Sequence, residues 1–502
     1  MATATFPAKS LSDRAALLIL ANLVKFSVGI VMPIVLVRLL SQNDYGSYQQ
    51  MVLISNTAMS LLTLGLPTSV YYFYAHTERE RLPALVVQTS LMLGAAGIVA
   101  TAVIYFGASP IARNLNNPEM AGLLAIYAFS VAFLIASEHS IAFLIAQDRY
   151  KLALSFEISE TVVRVALLLV PLWMGWGFAG LIIAVVIYGA LRFAVRTIVM
   201  FRNKKLSFKD WRKNAFAKEQ LQYSLPLTLI SLASTVAGFF NRGIVAAAFS
   251  PAQFAIYAVG RMDFPFATVF QASIANVLRA SLPPLVRDGK LKEVAHIIRD
   301  ATRRLSIIVL PSFVFLFGFA PEFINLLFTS AYNDSVPIFR ISVFEVPLHM
   351  FFLSPIPQIF GQTKINLYVN LWVAATLVVL TYLLLTGIGF YGPAIAAIVS
   401  QYLGSILFLR VVLRFTKSRL TDVLPIAGLM RVLLAASGAY AVSQFFRTAT
   451  SSSFLNFFIL AGVYSVVFFV VAAMIKVFNK DDINLMRRWG GKIIPSLSPR
   501  SS

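Results

Sequence analysis

Nine ionisable side chains interrupt stretches of sequence that are otherwise apolar. Four are cations, Lys25, Arg164, Arg242 and Arg261, and five are acids, Glu138, Glu157, Glu160, Asp263 and Glu345. A charge at the centre of a membrane helix costs about 2.5–3.5 kcal/mol on insertion scales, so such residues normally face a bundle interior or water. Buried cations are equipped to recognise an anion, because guanidinium and ammonium groups donate charge-assisted hydrogen bonds to phosphate or carboxylate.

The spacing gives each residue a different prospect. Glu157, Glu160 and Arg164 share one helical face, and Glu160 to Arg164 has the favourable i, i+4 order for an ion pair that neutralises itself. Asn22, Lys25 and Gly29 form a polar stripe on an apolar helix. Lys25 lies so deep that reaching the interface would take about 15 Å at the helical rise per residue, which favours a place in a cavity wall. Arg242, beside Asn241, and Arg261 lie in the outer halves of their helices, where snorkelling competes with cavity lining. Arg261 and Asp263 are i, i+2 and do not face each other on a regular helix. Glu138 next to His139, and Glu345 four residues before His349, join Glu157, Glu160 and Asp263 as candidate coupling or relay groups. A carboxylate beside an imidazole can pass protons, and it can equally serve as buried hydrogen-bonded glue.

The elements that carry these residues are set by composition. The 502-residue chain is 58% apolar and 13% charged, with a mean hydropathy of +0.78. A soluble protein carries about 25% charged residues, so lipid is the main solvent here. Apolar runs fall near 15–39, 48–74, 84–106, 119–145, 152–173 and 177–201, then 221–249, 254–282, 304–328, 335–360, 365–386 and 389–413, then 425–446 and 454–478. Each can span a bilayer, which needs about 20 residues. The expectation is an all-α polytopic membrane protein of about fourteen transmembrane helices. The first run is long enough to span, so the N-terminus reads as a retained helix rather than a signal peptide.

The formal charge of +21 is mostly a statement about topology. With the N-terminus inside, the inner segments hold thirty Lys and Arg and the outer segments three, Arg38, Arg113 and Arg447. That asymmetry orients both termini to the cytoplasm and removes the nucleic-acid reading that a basic chain first suggests. Arg192, Arg196, Arg279, Arg340 and Arg431 are expected near helix ends. Two basic segments, 202–219 and 286–305, carry apolar residues at helical spacing and are expected as amphipathic helices on the cytoplasmic interface.

Catalytic chemistry finds no foothold. There is no cysteine, hence no disulfide or thiolate metal site. No phosphate-binding G-x-x-x-x-G-K-[ST] and no H-E-x-x-H occur, the four histidines are scattered, and the outer loops are short. No catalytic residue, metal site or cofactor is expected.

An internal repeat organises the helices. Ser41, Tyr45 and Tyr48 match Ser250, Phe254 and Tyr257, and Gly177, Phe178 and Gly180 match Gly389, Phe390 and Gly392. Gln147 and Gln362 agree at nearly the same offset. The blocks are helices 1–6 and 7–12, and six is even, so the two repeats are parallel, an arrangement that places substrate at the repeat interface. The expected division is an N-lobe at 1–201, a basic cytoplasmic linker at 202–220, a C-lobe at 221–413, helices 13 and 14 within 414–478, and a tail at 479–502. Under the offset Arg242 falls opposite Pro33 and Arg261 opposite Val52, so the scaffold is duplicated and the charges are not.

The turn R-L-L-x(4)-Y-G-x-Y at 38–48, G-L-P-T-S at 65–69 and the six-plus-six repeat with two extra helices resemble the Wzx-type polysaccharide transporters. These belong to the multidrug/oligosaccharidyl-lipid/polysaccharide (MOP) exporter superfamily. The resemblance implies a two-lobe, MATE-like fold in a bacterial inner membrane. It also implies a flippase for undecaprenyl-diphosphate-linked oligosaccharide (an O-antigen, capsule or exopolysaccharide repeat unit), and not an enzyme. It implies alternating access through a cationic central cavity, for which Lys25, Arg164, Arg242 and Arg261 are the candidates; Tyr71, Tyr72, Trp173 and Trp176 are able to stack on sugar rings, although membrane-interface belts explain most of them. Membrane lipids and other polysaccharide-assembly membrane proteins are the implied partners, and H+ or Na+ the coupling ion. A lipid II flippase is the alternative. A MATE-type multidrug exporter fits less well, because that group usually has twelve helices and acidic cavities.

Overall fold

The computed structural model describes residues 28–202, 216–262, 265–447 and 453–479. The expectations for Lys25, for Asp263 and for most of the basic 202–219 segment lie outside these residues. Among the described residues the chain is helical and contains no strand, as lipid requires when every backbone group must be satisfied within its own segment. Eight helical stretches are long and apolar enough to cross a membrane. One of them, Thr363–Thr416, has 54 residues, and Val28–Leu39 and Leu232–Ala248 are shorter apolar helices. The protein is a polytopic all-α membrane protein of about fourteen spanning helices. It divides into two compact units, residues 1–258 with 373–393, and residues 259–372 with 394–502.

The first unit opens with α1 (Val28–Leu39) and α2 (Gln42–Leu62). The turn between them is capped by Ser41, whose hydroxyl accepts from the Asp44 amide at 3.1 Å. Its repeat partner Ser250 accepts from the Gln253 amide at 3.3 Å. Tyr45 and Tyr48 in one turn and Phe254 and Tyr257 in the other are all buried, and Gly177 and Gly389 both have left-handed φ, +65° and +76°. The sequence repeat is therefore also a repeat of local geometry.

The span expected at 48–74 is two helices, α2 and α3 (Leu66–His76). Leu64 and Gly65 break it with φ of +48° and +65°, and a Cβ on Gly65 would lie 2.7 Å from the Thr228 hydroxyl. After α4 (Leu82–Phe106) and the short α5 (Ala108–Asn114), the span at 119–145 is likewise split into α6 (Ala121–Ser137) and α7 (Ser140–Ala146). Glu138 closes the first half and His139 opens the second. Helices α8 (Tyr150–Trp173), α9 (Gly177–Phe201), α10 (Ala217–Ala248) and α11 (Pro251–Gly260) follow. Gly46 permits close packing of the two repeat turns, since a Cβ there would lie 1.8 Å from the Pro251 carbonyl oxygen.

Two buried polar clusters fasten α10. Gln220 donates to Ser69 at 2.9 Å and to Thr89 at 3.0 Å, and it accepts from Gln88 at 2.7 Å. At the other end Gln50 donates to the carbonyls of Leu115 and Ala246, and Asn117 donates to Ser47 and Gln50.

In the second unit α12 (Pro265–Arg287) leads to α13 (Leu291–Gly318), which corrects the reading of 286–305 as a separate interfacial helix. That segment is the first part of a continuous 28-residue helix, and Val294, Ile298 and Leu305 are buried in protein rather than laid on lipid. After α14 (Ala320–Phe328), the span expected at 335–360 is discontinuous. It consists of α15 (Val336–Val343), a 3-10 turn at Val346–Met350, an extended Phe351 and the short α16 (Ile356–Ile359). Beyond α17 (Thr363–Ile388), α18 (Gly392–Thr416) and α19 (Leu420–Val423) come the two added helices, α20 (Ile426–Ser443) and α21 (Ser453–Met474). They pack on α13, where a Cβ on Gly318 would meet the Tyr440 ring at 2.1 Å and the Tyr464 hydroxyl donates to the Pro311 carbonyl at 2.8 Å.

Candidate functional site

A cavity of about 420 Å³ lies in the first unit, walled by α1, α2, α8 and α9. Helix α1 supplies an apolar wall with Gly29, Met32, Pro33 and Leu36, and α2 adds Tyr48, Gln49 and Val52. The opposite wall is charged. Glu157, Glu160 and Arg164 project from α8, and Tyr188, Arg192 and Arg196 project from α9 at i, i+4 and i+8. Facing stripes on adjacent helices fix which charges meet.

Glu160 and Arg196 form the central pair. Arg196 Nε and Nη2 donate to the two carboxylate oxygens at 2.6 Å each, a bidentate fork. Arg196 is buried, and its Nη1 donates to the Ser137 carbonyl at 3.2 Å and to the Ser140 hydroxyl at 3.1 Å. Glu157 lies 3.9 Å from the same guanidinium. Arg192 donates to Glu138 at 2.8 Å, and its Nε lies 3.6 Å from Glu160. The expected Glu160–Arg164 pair is thus replaced by pairing across helices. Lateral pairing is available because α9 presents two arginines to α8.

Arg164 is arranged differently. It is exposed and lines the cavity together with Tyr48. Among the described residues no carboxylate pairs with it. Gly29, the third member of the Asn22–Lys25–Gly29 stripe, lines the same space.

The remaining sequence candidates lie elsewhere. Arg242 is exposed on α10, while its neighbour Asn241 is buried and donates to Thr381 at 2.8 Å and to the Pro393 carbonyl at 2.9 Å. Glu138 and His139 diverge at the break between α6 and α7. Glu138 turns to Arg192, and His139 Nε2 bonds the Ser90 hydroxyl at 2.8 Å. In the second unit Arg261 approaches Glu345 at 3.7 Å and Ser342 at 3.4 Å, and Gln401 donates to Glu345 at 3.5 Å. His349 instead bonds Gln271 at 2.9 Å. These residues border the interruption of the α15 span. Trp173 and Trp176 are exposed at the turn between α8 and α9, and Tyr72 is stacked between His76 and Tyr223 at centroid distances of 4.3 and 4.4 Å.

Residues 35–337, more than half of the chain, match the family described as Polysaccharide biosynthesis protein. The chain belongs to that family. No curated protein sequence matches it. Among solved structures it is similar to the lipid II flippase MurJ in an inward closed conformation, with a TM-score of 0.65 at 16% identity over 91% of this chain and 98% of that one. It is also similar to a multidrug resistance MATE family transporter of the MOP superfamily in an inward-facing conformation, with a TM-score of 0.63 at 15% identity over 78% and 94%. A MOP superfamily transporter from Pyrococcus furiosus gives a TM-score of 0.53 at 14% identity over 80% and 94%. This member of the polysaccharide biosynthesis family therefore has the MOP transporter fold.

Sequence reasoning passed over Arg192, Arg196, Tyr48 and Tyr188. The two arginines were assigned to a helix end, yet Arg192 stands nine residues before the last residue of α9, Phe201. The available signal was the i, i+4 spacing of two arginines on one helix beside an i, i+3 pair of acids on the preceding helix.

Proposed function

We propose that this protein flips undecaprenyl-diphosphate-linked oligosaccharide from the cytoplasmic to the periplasmic leaflet of a bacterial inner membrane, as a transporter and not an enzyme, with both termini in the cytoplasm. The observation that carries the reading is Arg164, an exposed guanidinium in the cavity wall with no carboxylate partner among the described residues, beside two arginines that are already paired with carboxylates. A diphosphate bridges such a group well, since guanidinium bonds phosphate oxygens bidentately and the low dielectric strengthens the contact. Lys25, one turn before Gly29 in sequence, is assigned the second cationic contact. A volume of about 420 Å³ suits a diphosphate with its first sugar rather than a whole repeat unit.

The test is complementation in a strain lacking its own repeat-unit flippase. Arg164→Ala should abolish surface glycan and accumulate lipid-linked oligosaccharide on the cytoplasmic face at normal expression, while Arg164→Lys retains part of the activity. Full glycan display by Arg164→Ala would overturn the assignment. Rescue of a strain depleted of its lipid II flippase would redirect the substrate to the peptidoglycan precursor.

A further inference from the structure

The charges around the cavity balance. Arg164, Arg192 and Arg196 stand against Glu138, Glu157 and Glu160, so the described groups sum to zero. A diphosphate diester brings two fixed negative charges. Uncompensated charge in a site poor in water is costly. Arginine cannot change its protonation state, so the compensating change has to come from a carboxylate.

Geometry selects which one. Glu160 occupies the position an anion would take, bonded to both near nitrogens of Arg196 and 3.6 Å from Arg192. Arg196 has anchors that do not depend on Glu160, because its Nη1 is held by the Ser137 carbonyl and the Ser140 hydroxyl. Arg192 has a donor to spare, since its buried Nε makes no hydrogen bond. Buried donors left unmade are uncommon and call for an explanation, and an arriving phosphate oxygen supplies one. The groups facing Glu160 are Glu157 and Arg164 on its own helix, Tyr188, Arg192 and Arg196 on α9, Glu138 at the end of α6 and Tyr48 on α2. His139 bonds Ser90 and takes no part.

We propose that Glu160 is the exchangeable counterion of the headgroup site. The diphosphate takes over Arg192 and Arg196, and Glu160, deprived of its cations, takes up one proton from the bulk solution, so that the anion and a proton bind together. This deepens the reading of the cavity as a headgroup site and rests on it. By linkage, a site that gains one proton with its ligand loses affinity about tenfold for each unit of pH increase.

The test uses the full-length protein in nanodiscs and a farnesyl-diphospho-N-acetylglucosamine probe, whose diphosphate diester keeps a constant charge across neutral pH. Calorimetry in buffers of different ionisation enthalpy should report uptake of about one proton per probe bound. Affinity should weaken about tenfold per pH unit, and infrared difference spectra should show a protonated carboxyl band appearing with the probe. Glu160→Gln should bind the probe with no proton uptake, no band and a flat pH dependence, while Glu157→Gln and Glu138→Gln keep all three signals. If Glu160→Gln does not fold, the wild-type band and its persistence in the other two variants decide the question. Probe binding without proton uptake or band overturns the proposal and leaves the headgroup site standing. Signals that vanish in Glu157→Gln or Glu138→Gln assign the proton elsewhere and also overturn it. Absence of binding at every pH by a folded protein removes both readings.

Discussion

Glu160 accepts from Arg196 through both carboxylate oxygens at 2.6 Å, and the two residues come from neighbouring helices 36 positions apart in sequence. This pair ties α8 to α9 and sets the register in which the other charges of the cavity wall meet.

Arg196→Met should destabilise the protein by about 3–5 kcal/mol, the cost of leaving a buried partner uncompensated. The double variant Arg196→Met/Glu160→Met should recover much of that loss, because both charges leave together. Thermal unfolding in detergent read for the two single variants and the double provides the cycle. Additive losses would mean that the two side chains contribute independently.

Tyr48→Phe removes the hydroxyl that lines the cavity beside Arg164. The stability loss should stay within about 0.5–1.5 kcal/mol, the net value of one hydrogen bond. Arg164 itself is unchanged, so binding of a diphosphate probe should hold, in contrast to its loss in Arg164→Ala. Equal losses of binding in Tyr48→Phe and Arg164→Ala would instead make the tyrosine a ligand contact.

How much of this could be read from the chain depended on how far the interacting residues lie apart. The helical class, the repeat turns and the Glu157–Glu160–Arg164 face are local patterns, and helical periodicity carries them. Pairing across helices is not local. The i, i+4 rule joined Glu160 to Arg164, whereas packing brought Arg196 closer and offered it bidentate geometry. Adjacent residues also parted, since Glu138 and His139 flank a helix break and turn to different neighbours. The basic segment at 286–305 has the periodicity of an interfacial helix, and burial of the same apolar stripe against protein produces an identical pattern. Sequence spacing reports that a face is apolar and leaves open what covers it.

Gly46→Ala should cost about 1–3 kcal/mol or more, as overpacking does where no flexible side chain can yield. The obstructing atom is the Pro251 backbone oxygen, 1.8 Å from the added Cβ, so α2 and α11 would have to separate. Gly438→Ala, where a Cβ meets nothing within 4 Å, should be nearly neutral and serves as the control. Thermal stability of the two variants side by side checks the contrast.

The chain has no cysteine, so a single introduced thiol reports without background. Thr161→Cys and Val52→Cys, on the cavity wall, should react with an impermeant maleimide from one membrane face in a given state. Phe143→Cys, fully buried in a core cluster, should stay unreacted until the protein is denatured. Labelling of position 143 at the rate of position 161 would mean that the cavity wall and the core are equally open to water.

Arg192 and Arg196 stand one helical turn apart, and Glu160 is within reach of both. A slide of α9 along α8 by part of the turn, about 5.4 Å at most, would pass the carboxylate from one guanidinium to the next without leaving either helix with a bare charge. The ion pairs that tie the two helices laterally thus place two guanidinium partners, one turn apart along the helix axis, within reach of a single carboxylate.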